Sequence, residues 1–200
     1  MSHSRRVAAL WNQAMPRGEP ALHVVPLSTS QEIEVGAHDF NIDALFRRYA
    51  PYVAAVAHRL LGRDEDVDDT VQEVFLAAVR GVHAVRDPAA VRGWLACIAV
   101  RVARERLRKR RMRAFFGLDD PIAYESVVDA GASAEQRALV ARVYRLLDGV
   151  PANQRIAWSL RYIEGEPLES VAALCGCSLA TAKRRIAAAA KRLDEAFSDD

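Results

Sequence analysis

The sequence predicts an all-α protein: two small helical domains joined by a flexible linker, the C-terminal one a helix-turn-helix. Apolar residues recur at intervals of three and four along successive segments, which indicates helices. A run rich in Gly, Asp and Pro at residues 114–133 indicates the linker between residues 39–113 and residues 134–197. With 51% hydrophobic and 27% charged residues among 200, the composition is that of a globular protein.

The stretch at residues 167–193 predicts two helices separated by a tight turn. Val171 and Leu174 are spaced as the buried side of a short helix, and Gly176 stands where a left-handed turn needs a residue without Cβ. Ser178 is a suitable cap for a second helix beginning at Leu179. This pattern favours a helix-turn-helix whose second helix enters the major groove of DNA. An ordinary helical hairpin with a solvated basic surface is the alternative.

The second helix of this motif separates apolar from basic side chains at 100° per residue. Its predicted buried side consists of Leu179, Ala182, Ile186, Ala189 and Leu193. The residues that we expect to contact DNA are Thr181, Lys183, Arg184, Arg185 and Lys191.

The formal net charge of +2 conceals two strongly charged segments. Residues 64–73 carry six acids and no base, whereas residues 101–113 carry eight bases and one acid. Such segregation predicts partners of both signs.

The acidic segment opens a second predicted helix, residues 64–81. The helix dipole explains acids in the first turn, but it does not explain Glu73 or Leu76 on the side opposite the apolar stripe. A carboxylate and a leucine that are exposed together favour a docking surface for a basic partner. We assign this surface to Asp69, Gln72, Glu73 and Leu76.

A third predicted helix, residues 89–113, carries a basic side. Because few acids are interleaved, a polyanion is favoured over a merely solvated surface. Trp94 lies on the same flank, where it could stack on an unpaired base, but a core tryptophan at the edge of the apolar stripe is equally compatible. The arginines of this side are Arg101, Arg104, Arg108 and Arg111.

The remaining segments complete the predicted organisation. Residues 1–38 are expected to form a flexible tail, and residues 40–62 a helix that Pro51 kinks or breaks. Residues 134–147 and 152–163 are predicted helices that lead into the helix-turn-helix. Because each domain has its own helical core, we expect neither to depend on the other for its topology.

The cysteines do not indicate a cofactor. Cys97, Cys175 and Cys177 are too few for a disulfide framework, which fits a reducing cytoplasm. No histidine follows position 83, so Cys175 and Cys177 are interpreted as small buried hydrophobes rather than zinc ligands. A metal-dependent nuclease using the acids of residues 64–69 is another alternative, but neighbouring acids on a helix point in different directions. No segment approaches the length of a membrane span.

Three segments together resemble the extracytoplasmic-function class of the bacterial sigma-70 family, over residues 40–197. DDTVQEVFLAAVR is similar to the family's polymerase-binding helix, and VRGWLACIAVRVARERLRKRR to the helix that melts and reads the minus-ten element. LDGVPANQRIAWSLRYIEGEPLESVAALCGCSLATAKRRI is similar to the domain that reads the minus-thirty-five element. Their order and spacing make the resemblance highly specific.

The resemblance implies a non-enzymatic cytoplasmic protein that binds core RNA polymerase and promoter DNA and is held by an anti-sigma factor. The acidic surface would bind polymerase, the basic side of the third helix with Trp94 the minus-ten DNA, and the last helix the minus-thirty-five DNA. The polymerase would supply the chemistry and its magnesium, with no small-molecule substrate. A stand-alone helix-turn-helix regulator is the alternative.

Two departures from the family pattern concern the DNA contacts. Arg101 stands where this class often has a polar residue such as asparagine, which predicts a different base preference at the minus-ten element. Ala187, Ala188 and Ala190 stand where the family commonly has bulky or basic side chains. Fewer phosphate contacts would lower DNA affinity and flatten its dependence on salt.

Overall fold

The computed structural model describes residues 42–82, 85, 87–117, 124 and 133–198. Within these residues it contains no strand, and the predicted all-α class is confirmed. The tail predicted at residues 1–38 and most of the linker predicted at 114–133 lie outside the described residues. The helices are α1 (Ile42–Leu61), α2 (Val67–Gly81), α3 (Val91–Phe115), α4 (Ala134–Asp148), α5 (Ala152–Tyr162), α6 (Leu168–Leu174) and α7 (Leu179–Ser198).

Helices α1, α2 and α3 contact one another pairwise and form the N-terminal unit. Of the kink or break predicted at Pro51, the break does not occur, because α1 is continuous across this residue. Leu45 before the proline and Val53 and Val56 after it are buried in the same hydrophobic cluster, and this packing stabilises both halves of the helix. The missing proline N–H therefore does not interrupt the helix.

The start of α2 and both ends of α3 differ from their predicted positions by two or three residues, while α2 ends at residue 81 as predicted. Residues 64–66 form a turn before α2, and Thr70 Oγ1 donates to the carbonyl of Asp66 at 2.6 Å. A 3-10 turn, Pro88–Ala90, precedes α3. At its other end α3 extends to Phe115, so the segment predicted as linker begins inside the helix.

Helices α4 to α7 form the C-terminal unit. A capping box starts α4, in which the Gln136 N–H donates to Ser133 Oγ and the Ser133 N–H donates to Gln136 Oε1. Gly176 has φ +61° between α6 and α7, which confirms the left-handed turn expected there. Leu179 is 37% exposed and does not belong to the buried side of α7 as predicted, because it is the first residue of the helix.

The two units share a hydrophobic cluster, in addition to the separate cores that were predicted for them. Ile156 and Leu160 of α5 and Val171 of α6 belong to the same buried cluster as Leu95 and Val100 of α3. Both α1 and α3 contact α5. A second cluster lies within the C-terminal unit, centred on Tyr144, Leu147 and Trp158. Each unit leaves an apolar surface that its own helices do not cover, and the other unit covers it.

The C-terminal end of α1 is the polar centre of this contact. A helix leaves its last carbonyls without intrahelical partners, and here the C-terminal unit supplies donors. Arg155 of α5 is 1% exposed, and its Nη2 donates to the carbonyls of Leu61 at 2.8 Å and Leu60 at 3.5 Å. Tyr144 Oη donates to the carbonyl of Arg59 at 2.7 Å. We call this arrangement the α1 cap.

Charged side chains surround the α1 cap. Asp148 accepts from Arg155 Nη1 at 2.6 Å, which orients the guanidinium towards the carbonyls. Arg110 of α3 reaches the carbonyl of Leu61 at 3.3 Å and the carboxylate of Asp66 at 2.5 Å. The buried arginines are therefore paired from both units.

A second bridge between the units joins Arg59 to Glu164, with Nε and Oε1 2.6 Å apart. Glu164 is buried, and burial raises its pKa to about 7 although the adjacent Arg59 lowers it. Glu166 of the same turn is also buried and raises the pKa of Glu164 further. The other groups around this site are Tyr52 of α1 and Arg92 of α3, whose guanidinium lies 4.5 Å from the Tyr52 ring centroid.

The raised pKa of Glu164 predicts a pH-dependent free energy of unfolding. Between its ordinary value of 4.5 and about 7, the folded chain binds a proton at Glu164 that the unfolded chain does not. Stability should therefore rise as the pH falls through this window, and the Glu164→Gln variant should lack that gain. Thermal unfolding at constant ionic strength measures the difference between the two chains. Glu169→Gln, which changes an exposed carboxylate on α6, is the control. Parallel pH curves for the wild type and Glu164→Gln would contradict the prediction.

Candidate polymerase and nucleic-acid interfaces

The four residues predicted as a docking surface are all exposed on α2. They recur at intervals of three and four, so they lie on one side of the helix, opposite the buried Val71, Val74 and Ala78. Leu76 is 61% exposed, which is unusual for a leucine on a helix with a complete apolar stripe. The surface consists of Asp69, Gln72, Glu73 and Leu76, and we call it the α2 surface.

An arginine of α3 partly neutralises the α2 surface. Arg106 Nη2 lies 3.2 Å from Glu73 Oε2, and Nη1 lies 3.8 Å from a carboxylate oxygen of Asp69. The contact of Arg106 with the α2 surface was not predicted from the sequence, because Arg106 was assigned only to the basic segment as a whole. Its position on a different flank of α3 from Arg101 could have indicated a different partner. The remaining negative charge is exposed to solvent and open to a basic partner.

The four arginines predicted on the basic side of α3 are not equivalent. Arg101, Arg108 and Arg111 are exposed, whereas Arg104 is half-buried. Arg104 donates from Nη1 to the carbonyl of Cys175 at 3.3 Å, and Arg111 donates from Nη1 to the carbonyl of Gly149 at 3.3 Å. Two of the four thus contact the C-terminal unit, which the sequence could not indicate.

Trp94 is half-buried and packs against the shared hydrophobic cluster. A Cβ added at Gly81 would lie 3.2 Å from its ring, so the end of α2 fits closely under the indole. These contacts favour the core interpretation of Trp94.

The basic side of α7 is largely accessible. Lys183, Arg184 and Lys191 are exposed, while Thr181 is half-buried and its N–H donates to Ser178 Oγ at 3.3 Å. Ala190 is 3% exposed within the second cluster, so a bulky or basic side chain there would not face DNA. The shortage of phosphate contacts expected from the alanines is therefore limited to Ala187 and Ala188.

A groove of about 860 Å³ between the units brings members of all three predicted sets together. Arg185 enters it from α7, opposite Arg101 and Arg104 of α3. The wall formed by α2 includes Glu73, Leu76 and Arg80. Arg80 lines this groove but was not among the predicted site residues.

Arg155 and Arg110, which hold the α1 cap, were also absent from the sequence-based sites. One signal was available for Arg155: it lies three residues after Ala152 and four before Ser159, both of which are buried. An arginine on the buried side of a helix indicates a buried partner. The partner carbonyls lie more than ninety positions away, so the sequence does not name them.

The thiols and acids form no metal centre in the part of the chain that the structure describes. Cys175 is buried, and burial raises its pKa to about 11, so this thiol is a small hydrophobe rather than a nucleophile. Asp64 lies 2.7 Å from His58 Nε2, and Asp66 pairs with Arg110. Acids engaged in this way do not support the nuclease alternative. No described helix is long and apolar enough to cross a membrane.

Comparison with known proteins places these surfaces in a family. The family model of Sigma-70 region 2 matches residues 45–113, and that of Sigma-70 region 4 matches residues 141–193. The ECF RNA polymerase sigma-E factor of Escherichia coli (strain K12) is 31% identical over 164 residues, which are 78% of this chain and 84% of that protein. The chain belongs to the extracytoplasmic-function sigma factors. Its ECF relative SigE of Mycolicibacterium smegmatis is 32% identical over 151 residues, 72% of this chain and 56% of that protein.

Two solved structures share the fold. The sigma factor RpoE of Bartonella quintana, solved in complex with the anti-sigma factor NepR, matches with a TM-score of 0.56 and 23% identity, covering 79% of this chain and 97% of that one. CnrH in complex with the cytosolic domain of CnrY matches with a TM-score of 0.51 and 22% identity, covering 100% and 99%. The predicted family is confirmed, and the function of the chain is promoter-specific transcription initiation. The match to both sigma regions does not favour a stand-alone regulator.

Proposed function

We propose that this sigma factor divides its work among three surfaces: the α2 surface binds core RNA polymerase, α3 binds minus-ten DNA, and α7 reads the minus-thirty-five element. The observation that carries the proposal is the exposed α2 surface on the unit that matches region 2. The helix-turn-helix on the unit that matches region 4 supports the upstream contact.

The α2 surface suits the basic coiled coil of the polymerase clamp that the family resemblance implies. The carboxylates of Asp69 and Glu73 speed the encounter by charge complementarity, and burial of Leu76 slows dissociation. Arg106 holds Glu73 in position before the partner arrives. The partner's basic residues then displace part of this internal pairing.

At the minus-ten element, Arg101, Arg108 and Arg111 are the exposed phosphate contacts, and the half-buried Arg104 joins them when it leaves its carbonyl partner. Trp94 packs against the hydrophobic cluster and, being half-buried, offers only part of its surface to an unpaired base. Capture of bases that leave the stack supplies part of the energy of melting.

At the minus-thirty-five element, the first two turns of α7 present Thr181, Arg184 and Arg185 to base edges, with Lys183 and Lys191 on phosphates. The proposal assigns no catalysis and no cofactor to this chain, since the polymerase supplies both. This chain works in the cytoplasm and, like RpoE in the structure above, takes an anti-sigma factor as a partner.

In-vitro transcription tests the function directly. Purified core polymerase with this protein, on fragmented DNA of the source genome, should give transcripts with discrete starts that depend on the protein. Aligned upstream sequences of those starts should reveal two elements. Absence of any discrete start on any fragment would contradict the proposal.

Reversal of charge on the α2 surface should weaken polymerase binding. Glu73→Arg replaces an attraction with a repulsion, and we expect a loss of about 1–2 kcal/mol, roughly tenfold in Kd. Fluorescence anisotropy with labelled core polymerase measures it. Glu65→Arg, at an 84% exposed side chain in the turn before α2, is the matched control and should bind normally. Equal affinity for both variants would remove the α2 surface from the proposal.

Alanine variants of Arg184 and Lys191 should distinguish a contact to a base from a contact to a phosphate. Arg184→Ala should cost about 1–3 kcal/mol on the cognate upstream element and far less on scrambled DNA, because a base contact is lost. Lys191→Ala should weaken both DNAs equally and lower the salt slope by about one. Competition binding of the polymerase complex at several salt concentrations measures both. An equal loss on both DNAs for Arg184→Ala would make it a phosphate contact.

A further inference from the structure

The groove of about 860 Å³ carries more positive charge than its own acids neutralise. Of its two acids, Glu105 pairs with Arg108 at 3.4 Å, and Glu73 pairs with Arg106, which does not line the groove. Four further arginines of the lining have no acid within ion-pair distance in the described part of the chain: Arg80, Arg101, Arg104 and Arg185. The groove is therefore strongly electropositive.

One of these guanidiniums has a buried nitrogen without a partner. Nη1 of Arg185 is buried, and no acceptor for its hydrogen bonds lies among the described residues. A buried donor that remains unpaired is costly, and more so when it is charged. A negatively charged oxygen in the groove would supply the missing acceptor.

Arg80 has no part in the three surfaces of the proposed function. The helix dipole favours a cation in the last turn of α2, but it does not explain why this cation lines the same groove as Arg101 and Arg185. Arg80 stands one turn after Leu76, on a helix whose exposed acids are assigned to a basic partner, and a cation there opposes that encounter. Its position indicates an anionic ligand.

The size of the groove and the origin of its arginines favour a small molecule. Pockets for small ligands measure about 300–1,000 Å³, and this groove falls within that range. Its arginines come from α2, α3 and α7, so they surround one compact ligand instead of following the backbone of a duplex.

The charge of the groove favours several linked phosphates over one. Orthophosphate carries only about two negative charges near neutral pH, which leaves part of the charge of the unpaired arginines unmatched. A chain of phosphates matches it more fully. Each guanidinium can also form two parallel hydrogen bonds with phosphate oxygens.

We propose that this groove binds a polyphosphate chain, either inorganic or carried by a nucleotide, with Arg80, Arg101 and Arg185 as its main contacts. Arg104 adds a contact beside its hydrogen bond to the carbonyl of Cys175. The apolar part of the lining offers a surface to the base of a nucleotide and consists of Leu76, Ala77 and Val102.

Competition with promoter DNA is the consequence of this site, and this consequence alone rests on the proposed function. Arg101 belongs to the minus-ten set and Arg185 to the minus-thirty-five set, and both line the groove. A polyphosphate that occupies them takes the positions of DNA phosphates and lowers promoter affinity.

Isothermal titration calorimetry of the free full chain tests the site. The probes are sodium tripolyphosphate, ATP and orthophosphate, each without magnesium and at constant ionic strength. We expect a single tripolyphosphate per chain, bound at least about tenfold more tightly than orthophosphate, because additional charge-assisted contacts form. Equal affinity for tripolyphosphate and ATP would identify the phosphate chain as the whole ligand, and tighter binding of ATP would identify a nucleotide. Both results support the site.

Arginine variants locate the binding. Arg80→Ala should weaken tripolyphosphate binding about tenfold, because one charge-assisted contact is lost. Arg47→Ala removes the same charge from an exposed position on α1 outside the groove and should bind as the wild type does. Arg101→Ala is a second groove variant and should show a similar loss. Circular dichroism establishes that all three variants are folded.

Promoter binding gives a second readout. With tripolyphosphate at about five times its wild-type Kd and constant free magnesium, the promoter affinity of the polymerase complex should fall about sixfold. With Arg80→Ala, which should bind the promoter normally without the probe, the fall should be only about 1.5-fold. Equal inhibition of both complexes would contradict competition at the groove.

Four calorimetric results would overturn the site itself. They are no binding of tripolyphosphate, orthophosphate bound as tightly as tripolyphosphate, unchanged affinity in both groove variants, and an equal loss in Arg47→Ala. Because the calorimetry needs no polymerase, the two proposals fail separately. A chain that binds tripolyphosphate but never starts transcription would refute only the proposed function.

Discussion

The capping of α1 by a residue of the other unit is the interaction on which the rest of this structure depends. Three consecutive carbonyls at the end of α1, those of residues 59–61, receive hydrogen bonds from Arg155, Tyr144 and Arg110. A helix end can be capped by its own chain or by water, so nothing in α1 itself demands a distant donor. The choice of a distant donor makes two units, each with its own family match, into one body with a shared core.

The contact between the two units puts like charges close together. Closure brings Arg185 of α7 to the groove that Arg101, Arg104 and Arg108 line, and Glu73 and Glu105 compensate only part of the charge. Apolar burial and the α1 cap must therefore outweigh a repulsion that DNA would relieve.

Local features of the fold could be predicted from the sequence, and contacts between units could not. Val171, Leu174 and Gly176 were enough to predict the helix-turn-helix. The spacing of apolar residues and the glycine of a left-handed turn depend only on residues that are close in sequence. The α2 surface followed in the same way from the position of Leu76. By contrast, the local pattern around Arg106 and Arg155 does not name the partner of either side chain. Their partners are fixed only when the helices meet, which no periodicity encodes.

The distance between the units in one and the same chain tests this account most directly. Fluorophores placed by amber suppression at Glu65 and Glu195, both largely exposed and outside the assigned binding sets, report it by single-molecule energy transfer. The account predicts one short distance, within about 40 Å, for the free protein, and an increase of roughly 40 Å or more in the complex with core polymerase and promoter. An unchanged distance on promoter binding, or a free chain that is already extended, would contradict it.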